Sequence, residues 1–351
     1  MINLPKGFKL ISKFVTGSHL YGNSTPESDT DTRGVFIPSK EYFLGFQKRT
    51  EQFEDKVQDI VFMDIRHYLK LALDCNPNII EWLFISEKDW LVSSEQWKRI
   101  VEKRELFVSK KARYTFAGYA FSQLKRIKRH RLWLLNPPKK KPERSDYGLP
   151  LDKKLVSEDQ IGAFNAILSN YFEEITQHHA LKKQLEEMQE TRDFLSIFQS
   201  SRTMDLKMAE KIMPVSENFL EALDREKRYN QALREWNHYQ NWKKNRNPER
   251  AELEKRYGFD CKHGSHLYRL LGECEEILMK KTITFPRPDA ELLLGIKNGC
   301  WSYDELMEKI GDIDARFDKM YNESPLPKKP DRVAVDKLCV EIAEEYIQAD
   351  K

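Results

Sequence analysis

Residues 16–38 read TGSHLYGNSTPESDTDTRGVFIP, and the order of residue types in this stretch decides the fold. The segment before it, residues 8–15, alternates apolar and polar side chains as a half-buried strand does. Residues 29–37 alternate again, and the pair Gly17 and Ser18 lies between the two segments. We therefore expect two strands joined through a tight turn at Gly17 and Ser18.

Two aspartates, Asp29 and Asp31, open the second expected strand. Side chains alternate along a strand, so both carboxylates would project from one face, with Cα atoms about 7 Å apart. Asp59 begins a third β-like run, VQDIVFM at residues 57–63, whereas Asp64 lies where a helix N-cap is expected. Carboxylate oxygens favour Mg²⁺, and three of them can hold the two ions of a phosphoryl-transfer site.

The Gly-Ser turn supplies the complementary half of such a site. Gly17 lets the backbone approach a phosphate closely, and the hydroxyl and N–H groups of Ser18 are donors for an anion. An ordinary turn or a solvated strand start explains either piece alone, but the ordered combination favours a triphosphate between turn and carboxylates. His19 fits two interpretations, contact with a phosphate or ribose and hydrogen bonding to nearby backbone.

Composition restricts the class of protein. The chain has 351 residues, 40% hydrophobic and 33% charged, which suits two soluble domains or one domain with a large appended layer. No apolar run of about 18 residues is long enough to span a membrane, and the N-terminus lacks the pattern of a signal peptide. The five cysteines form no C-x-x-C, so we expect a cytoplasmic protein without disulfides.

A basic segment, residues 110–141, contains 11 Lys or Arg and no Asp or Glu. Such a run fits a solvated helix face, and it also fits a surface that follows a polyanion and stacks bases. The second interpretation predicts RNA binding, for which the candidate contacts are Lys125, Arg126, Lys128 and Arg129. The interleaved aromatic residues are Tyr114, Phe116, Tyr119, Phe121 and Trp133.

The predicted fold class is α+β, with a small mixed sheet in residues 1–108 and a mostly α-helical domain in residues 109–351. Within the helical part we expect a basic helix over 109–135 and a Pro-rich, charged linker over 136–150. A helical elaboration follows, over about 150–257, since residues of about 180–256 are rich in Glu, Lys, Arg and Gln.

The motif GSHLYG followed by SDTDTRGV resembles the signature of the DNA polymerase β superfamily of nucleotidyltransferases. Its longer form is similar to the RlaP-like branch, predicted nucleotidyltransferases associated with RNA repair. The stretches NPNIIEWLF, KHGSHLYRLLGECEEIL and ELLLGIKNGCWSYDEL also resemble that branch. The resemblance covers roughly residues 8–135 and 258–327.

The resemblance implies a polymerase β-like catalytic core and a set of site residues. Gly17 and Ser18 would hold the triphosphate of a nucleotide substrate. Asp29, Asp31 and Asp59 would bind two metal ions, Mg²⁺ or Mn²⁺.

A second group of candidates lies near residue 265. Lys262, His266 and Arg269 share one helical face, and similar residues in the branch face the cleft. Two interpretations remain open for these three residues: they neutralise phosphate charge, or they lie on a solvated helix face. Cys261, His263 and His266 do not predict a zinc site because no fourth ligand has a recognised spacing, and the adjacent His178 and His179 diverge on a helix. Packing and salt bridging are expected of Tyr21, Arg33 and Glu81.

The leading hypothesis is metal-dependent transfer of a nucleoside monophosphate from a nucleoside triphosphate to a hydroxyl acceptor. The basic segment makes an RNA, either tRNA or a broken RNA 3′ end, the favoured acceptor. One alternative is nucleotidylation of a protein hydroxyl, and another is a non-catalytic RNA-binding module. The Asp-x-Asp pair argues against the last, because binding alone does not need two like charges facing each other.

Overall fold

The computed structural model describes residues 2–46, 48–164, 166 and 216–349. The chain divides into two compact units by its internal contacts, which we call unit 1 (Met1–Asn136 with Asn247–Lys351) and unit 2 (Pro137–Arg246). This division by contacts leaves the predicted domain boundary at residue 108 a prediction. Much of the predicted helical elaboration, including His178 and His179, lies outside the described residues.

The strands of unit 1 are β1 (Lys9–Thr16), β2 (Asp31–Ile37), β3 (Gln52–Asp55), β4 (Ile60–Asp64) and β5 (Trp90–Ser93). They form one sheet in the order β3-β4-β2-β1-β5. β2 and β4 are parallel, and the other neighbouring strands are antiparallel. This mixed sheet, followed by many helices, confirms the predicted α+β fold class.

The helices, in chain order, are α1 (Gly17–Tyr21), α2 (Lys40–Leu44), α3 (Ile65–Leu73), α4 (Pro77–Ile80), α5 (Glu95–Glu102), α6 (Ala112–Leu135), α7 (Glu217–Lys244), α8 (Pro248–Tyr257), α9 (Cys261–Lys280), α10 (Ala290–Lys297), α11 (Tyr303–Glu323) and α12 (Arg332–Ala349). Of these, α7 belongs to unit 2. None of the helices in the described part of the chain is both long enough and apolar enough to cross a membrane.

Side-chain caps explain where several helices begin. The carboxylate of Asp64 accepts a hydrogen bond from the backbone N–H of Arg66 at 2.7 Å, so Asp64 is the N-cap of α3, as expected. Ser302 and Glu305 form the reciprocal capping box that opens α11. These local signals act within four residues, which is why they can be read from sequence.

The packing of α6 against α9 is the most extensive contact between helices in unit 1. It buries one face of α6, and this corrects the expectation that the aromatic residues of the basic segment form a stacking surface. Phe116, Phe121 and Trp133 are buried, whereas Tyr114 and Tyr119 are exposed. Phe116 and Phe121 belong to the core of unit 1, whereas Trp133 lies outside that core cluster and its ring stacks on His130, with centroids 5.5 Å apart.

Unit 2 has a small apolar cluster of its own, made of Val156, Phe164, Leu220 and Leu223. Arg144 donates hydrogen bonds to both carboxylate oxygens of Glu226, at 2.7 and 3.0 Å. This bidentate pair ties the segment predicted as a linker to α7, so that part of the linker is ordered.

Candidate active site

Three motif segments meet at one end of the sheet. β1 ends at Thr16, which lies opposite Asp31 at the start of β2. β4 runs parallel to β2, with Thr32 opposite Ile60, and the N–H of Thr32 donates to the carbonyl of Asp59 at 3.0 Å. The topology therefore places the Gly-Ser turn that follows Thr16 beside the carboxylates of Asp31 and Asp59.

Asp31 and Asp59, which we call the acidic pair, are close enough for their carboxyl groups to share a proton. Burial and, after it, the hydrogen bond and charge of Asp59 raise the pKa of Asp31 to about 6. The hydrogen bond from Asp31 lowers the pKa of Asp59. Two carboxyl groups in contact cannot both ionise without cost, so the pair is suited to bind a cation.

Arg33 partly offsets the charge of the acidic pair. Its Nη2 lies 3.3 Å from Asp31 Oδ1 and 3.0 Å from Asp59 Oδ1, and its Nη1 donates to the carbonyl of Asp59 at 2.6 Å. The salt bridging expected of Arg33 is therefore present. Its place between the two carboxylates could be found only once β2 and β4 were known to be neighbours.

Gly17 is required at its position by two features of the backbone. Its φ is +66°, in the left-handed region that favours glycine. A Cβ built on Gly17 would also overlap Oδ2 of Asp31. The turn and the acidic pair are thus in direct contact, and a larger residue at position 17 would displace the Asp31 carboxylate.

The expectation that Asp29 and Asp31 share one strand is wrong. β2 begins at Asp31 because its partner β1 ends at Thr16, where the chain turns into α1. Asp29 has no partner strand and lies exposed in the preceding loop. Its role as a metal ligand stays a prediction.

The remaining turn residues border the same place. Ser18 is partly exposed within α1. A ring nitrogen of His19, Nε2, lies 3.4 Å from the backbone carbonyl of Ser28, which fits the interpretation of a loop histidine hydrogen-bonded to backbone. Contact of either residue with a triphosphate stays a prediction.

The start of α9 faces the acidic pair, and it carries Lys262. The charge of Lys262 acts on Asp31 and opposes the rise in the carboxyl pKa. Burial lowers the pKa of Lys262 itself, and the cations Arg250 and Lys297 add to that effect. Of the three candidates on α9, Lys262 is therefore the one that faces the predicted site.

His266 and Arg269 have other partners. Arg269 Nη2 lies 3.0 Å from Nδ1 of His266, and burial followed by the Arg269 charge lowers the pKa of that imidazole to about 3. Nδ1 of the neutral ring is thus an acceptor. Direct contact of Arg269 with a triphosphate, which stays untested, would require its side chain to leave a buried network.

That network, which we call the buried cluster, comprises Tyr21, Glu81, Arg269 and Glu273. Arg269 Nη1 donates to Glu81 Oε1 and to Glu273 Oε1, both at 2.6 Å, and its guanidinium lies 3.9 Å from the ring centroid of Tyr21. The Tyr21 hydroxyl donates to Glu81 at 2.8 Å. Packing and salt bridging, as expected for Tyr21 and Glu81, connect α1 to α9.

The side chains predicted to contact RNA are presented on one helix. Lys125, Arg126, Lys128 and Arg129 are all exposed on α6, while Leu124 and Ile127 between them are buried. Since α6 belongs to unit 1, this surface is part of the same compact unit as the acidic pair.

Comparison with known proteins agrees with the motif. The family RlaP, the RNA repair pathway DNA polymerase beta family, matches residues 2–135, and this confirms the predicted resemblance. The uncharacterized protein YcgL of Bacillus subtilis (strain 168) is 28% identical over 80 residues, or 22% of this chain and 31% of the relative. An uncharacterized 38.9 kDa protein of Enterobacteria phage T4, from the nrdC-mobD intergenic region, is 30% identical over 128 residues.

The second match covers 33% of this chain and 38% of the phage protein, so the chain matches about a third of the length of each of these relatives. No solved structure matches the chain.

Proposed function

We propose that this chain, whose residues 2–135 place it in the RlaP-like branch of the DNA polymerase β superfamily, is a metal-dependent nucleotidyltransferase acting on RNA. It would transfer a nucleoside monophosphate from a nucleoside triphosphate to a hydroxyl of tRNA or of a broken RNA 3′ end, in the cytoplasm. The observation that carries the proposal is the contact between the acidic pair and the turn at Gly17.

The donor set at this place fits a hard divalent cation. The charge and hydrogen bond of Asp59 add to burial in raising the pKa of Asp31, so a cation held by both carboxylates would offset their repulsion. Asp29, two residues away, would join them as the third ligand. Mg²⁺, or Mn²⁺ in its place, would supply neutralisation of the charge on the triphosphate.

The side chains of the site would act on both partners of the reaction. The acceptor hydroxyl oxygen attacks the α-phosphorus, the bond between this phosphorus and the β-phosphate oxygen breaks, and pyrophosphate leaves. Asp59 would orient the acceptor hydroxyl or take its proton. Ser18 would donate hydrogen bonds to the triphosphate, and Lys262 would balance its charge.

The exposed cations of α6 support RNA as the acceptor. Four adjacent charges on a helix can follow the phosphate backbone without reading its sequence. The exposed rings of Tyr114 and Tyr119 lie on the same helix and offer stacking surfaces, although fewer than the sequence suggested.

A transfer assay tests the activity. The protein is incubated with Mg²⁺, each labelled triphosphate in turn, and total RNA beside total protein. We expect label on RNA, and we expect the double variant Asp29→Asn with Asp31→Asn to lose at least about 10³-fold of the rate, or about 4 kcal/mol of transition-state stabilisation, while staying folded. Asp312→Asn, which removes an exposed carboxylate on α11, is the control and should not change the rate.

Each other outcome of this assay decides against part of the proposal. Full activity in the double variant would contradict the assignment of the acidic residues. Label on protein would favour nucleotidylation of a protein hydroxyl. Tight RNA binding without any metal-dependent turnover would favour a non-catalytic RNA-binding module.

A binding assay tests the acceptor surface. Changing Lys125, Arg126, Lys128 and Arg129 to Gln should weaken RNA binding and reduce the slope of log K against log salt by up to about 3, since each phosphate contact contributes about 0.7 for single strands. Triphosphate binding should not change. The control removes the same charge from α11 and α12, at Lys309, Arg316, Lys319 and Lys337, and equal RNA affinity in the two quadruple variants would contradict the assignment.

A further inference from the structure

Three potential metal ligands converge between α6 and α9, away from the acidic pair. Among the residues that the structure describes, His130, Asp260 and His263 are the group in which one ligand atom of each lies within 4.8 Å of the others. His130 belongs to α6, Asp260 is the N-cap of α9, and His263 lies in the first turn of α9. His130 lies 130 positions before Asp260 in the sequence, so spacing alone did not reveal the group.

We propose that His130, Asp260 and His263 bind one divalent transition-metal ion of the Zn²⁺ type, which fixes α6 to α9. This inference does not depend on the proposed transferase activity. The site differs from the acidic pair in its ligands, in its place in the fold and in the class of ion.

The ligand types and their separations support this assignment. Two imidazole nitrogens and one carboxylate oxygen suit Zn²⁺ and related ions, whereas Mg²⁺ requires oxygen ligands in octahedral geometry. In a tetrahedral site with bonds of about 2.0 Å, neighbouring ligand atoms lie roughly 3.3 Å apart. Nε2 of His263 lies 3.5 Å from Oδ2 of Asp260, close to that value. A water molecule would complete the tetrahedron.

The surroundings hold the ligands in place. Asp260 is buried, and its other oxygen, Oδ1, accepts the backbone N–H of His263 at 3.1 Å, which orients the carboxylate. The rings of His130 and His263 have centroids 6.0 Å apart. The cations Arg126, Arg129, Arg250 and Lys262 also act on these imidazoles, so affinity must come from the ligand bonds rather than from a negative field.

The sequence brings Cys261, His263 and His266 close together along the chain, but in the structure their side chains have different partners. The thiol of Cys261 is directed at the carbonyl of Phe259, 3.7 Å away, and His266 contacts Arg269. Only His263 belongs to the cluster. Because Lys262 precedes His263 on α9, a metal bound at the cluster would also fix the residue that faces Asp31.

Zinc binding to the full-length, chelator-treated protein tests the proposal. Competition with a chromophoric chelator should show one equivalent of Zn²⁺ per chain, unaffected by millimolar Mg²⁺. His130→Gln, His263→Gln and Asp260→Asn should each weaken Zn²⁺ binding by more than about 100-fold, since even partners that do not touch a metal change affinity 10–100-fold. Asp260→Asn keeps a good N-cap, so this variant is expected to fold.

A matched control separates the cluster from histidine in general. His67 lies 3.5 Å from Glu51, the same separation as in the cluster, but the described residues supply no third ligand there, so His67→Gln should bind Zn²⁺ as the unchanged protein does. Asp31→Asn should also retain Zn²⁺ binding, whatever its effect on nucleotidyl transfer. Absence of a stoichiometric Zn²⁺ site, or undiminished binding in the three ligand variants, would overturn the proposal.

Discussion

The acidic pair and the buried cluster both place one guanidinium between two carboxyl groups, but they differ in access to solvent. The side chains of Asp31 and Asp59 are 26% and 51% exposed. Those of Glu81, Arg269 and Glu273 are at most 3% exposed. A ligand can reach the first set and not the second. The same residue types therefore form a solvent-accessible cluster where β2 and β4 begin, and a helix-positioning cluster in the interior.

The acidic pair and the buried cluster also differ in protonation at neutral pH. Burial raises the pKa of Glu273 to about 8, so in the buried cluster one protonated carboxyl group accompanies one ion pair, and the charges balance. In the acidic pair the pKa of Asp31 is only about 6, so near neutral pH both carboxylates are ionised in contact. A bound cation would relieve that unfavourable arrangement, and perturbed carboxyl groups of this kind are typical of functional sites.

The largest expected effect is on the buried cluster. Arg269→Met would leave carboxyl groups buried without their guanidinium, and we expect a loss of about 3–5 kcal/mol in the free energy of unfolding. Urea denaturation followed by near-UV circular dichroism measures it, since Trp82 and Trp97 are buried in unit 1. Glu273→Gln should cost far less, because Glu273 is already protonated at neutral pH.

The matching substitution beside the acidic pair is Arg33→Met, which removes the guanidinium that contacts Asp31 and Asp59. Its carboxylate partners reach solvent, so we expect a loss of at most about 1 kcal/mol. Equal losses in Arg33→Met and Arg269→Met would show that solvent access does not distinguish the two clusters.

The next effect concerns the turn beside the acidic pair. Gly17→Ala should cost about 1–2 kcal/mol for the left-handed backbone, plus a further cost because the new Cβ overlaps Asp31 Oδ2. A double-mutant cycle with Asp31→Ala isolates the second part, since that background removes the carboxylate. We expect a coupling energy of about 1 kcal/mol or more from urea denaturation of the four proteins. Additive effects would contradict the close contact of turn and carboxylate.

Much of the sheet could be predicted from sequence because its signals are local. The alternation of β1 and β2, the turn at Gly17 and the cap at Asp64 depend on neighbouring residues. β3 and β5 were not predicted, since each has four residues and only alternate positions partly buried. Short edge strands are defined by the neighbour they pair with, and that pairing is not visible in the sequence.

The candidate active site was likewise predictable only where its signals are local. The motif identified Gly17 and Asp31, and the run DIVFM identified Asp59. Partners that are distant in sequence were not predictable, such as Glu81 and Arg269, 188 positions apart. Burial of Phe121 on α6 was missed for the same reason, because the face that a helix buries depends on what packs against it.

The last expected effect is on proton binding by the acidic pair. Asp31 holds its proton more strongly in the folded protein, with a pKa of about 6 against an ordinary 3.8, so the native state binds more protons and stability falls as pH rises between these values. Asp59→Asn removes the neighbouring charge, so the pKa of Asp31 should fall. It should stay above 3.8, because burial, the largest cause, remains.

Carboxyl ¹³C shifts of aspartate-labelled, metal-free protein measure this pKa, with the Asp31 signal assigned by its loss in Asp31→Asn. The fall in stability between pH 4 and pH 6 should shrink in Asp59→Asn by no more than about 1.4 kcal/mol, the equivalent of one pKa unit. Asp146 is the internal reference, since Lys140 and the backbone of Glu143, and not Asp59, lower its pKa. An unchanged Asp31 titration would mean that the two carboxyl groups are not in contact, and the acidic pair would then lose the feature that separates it from the buried cluster.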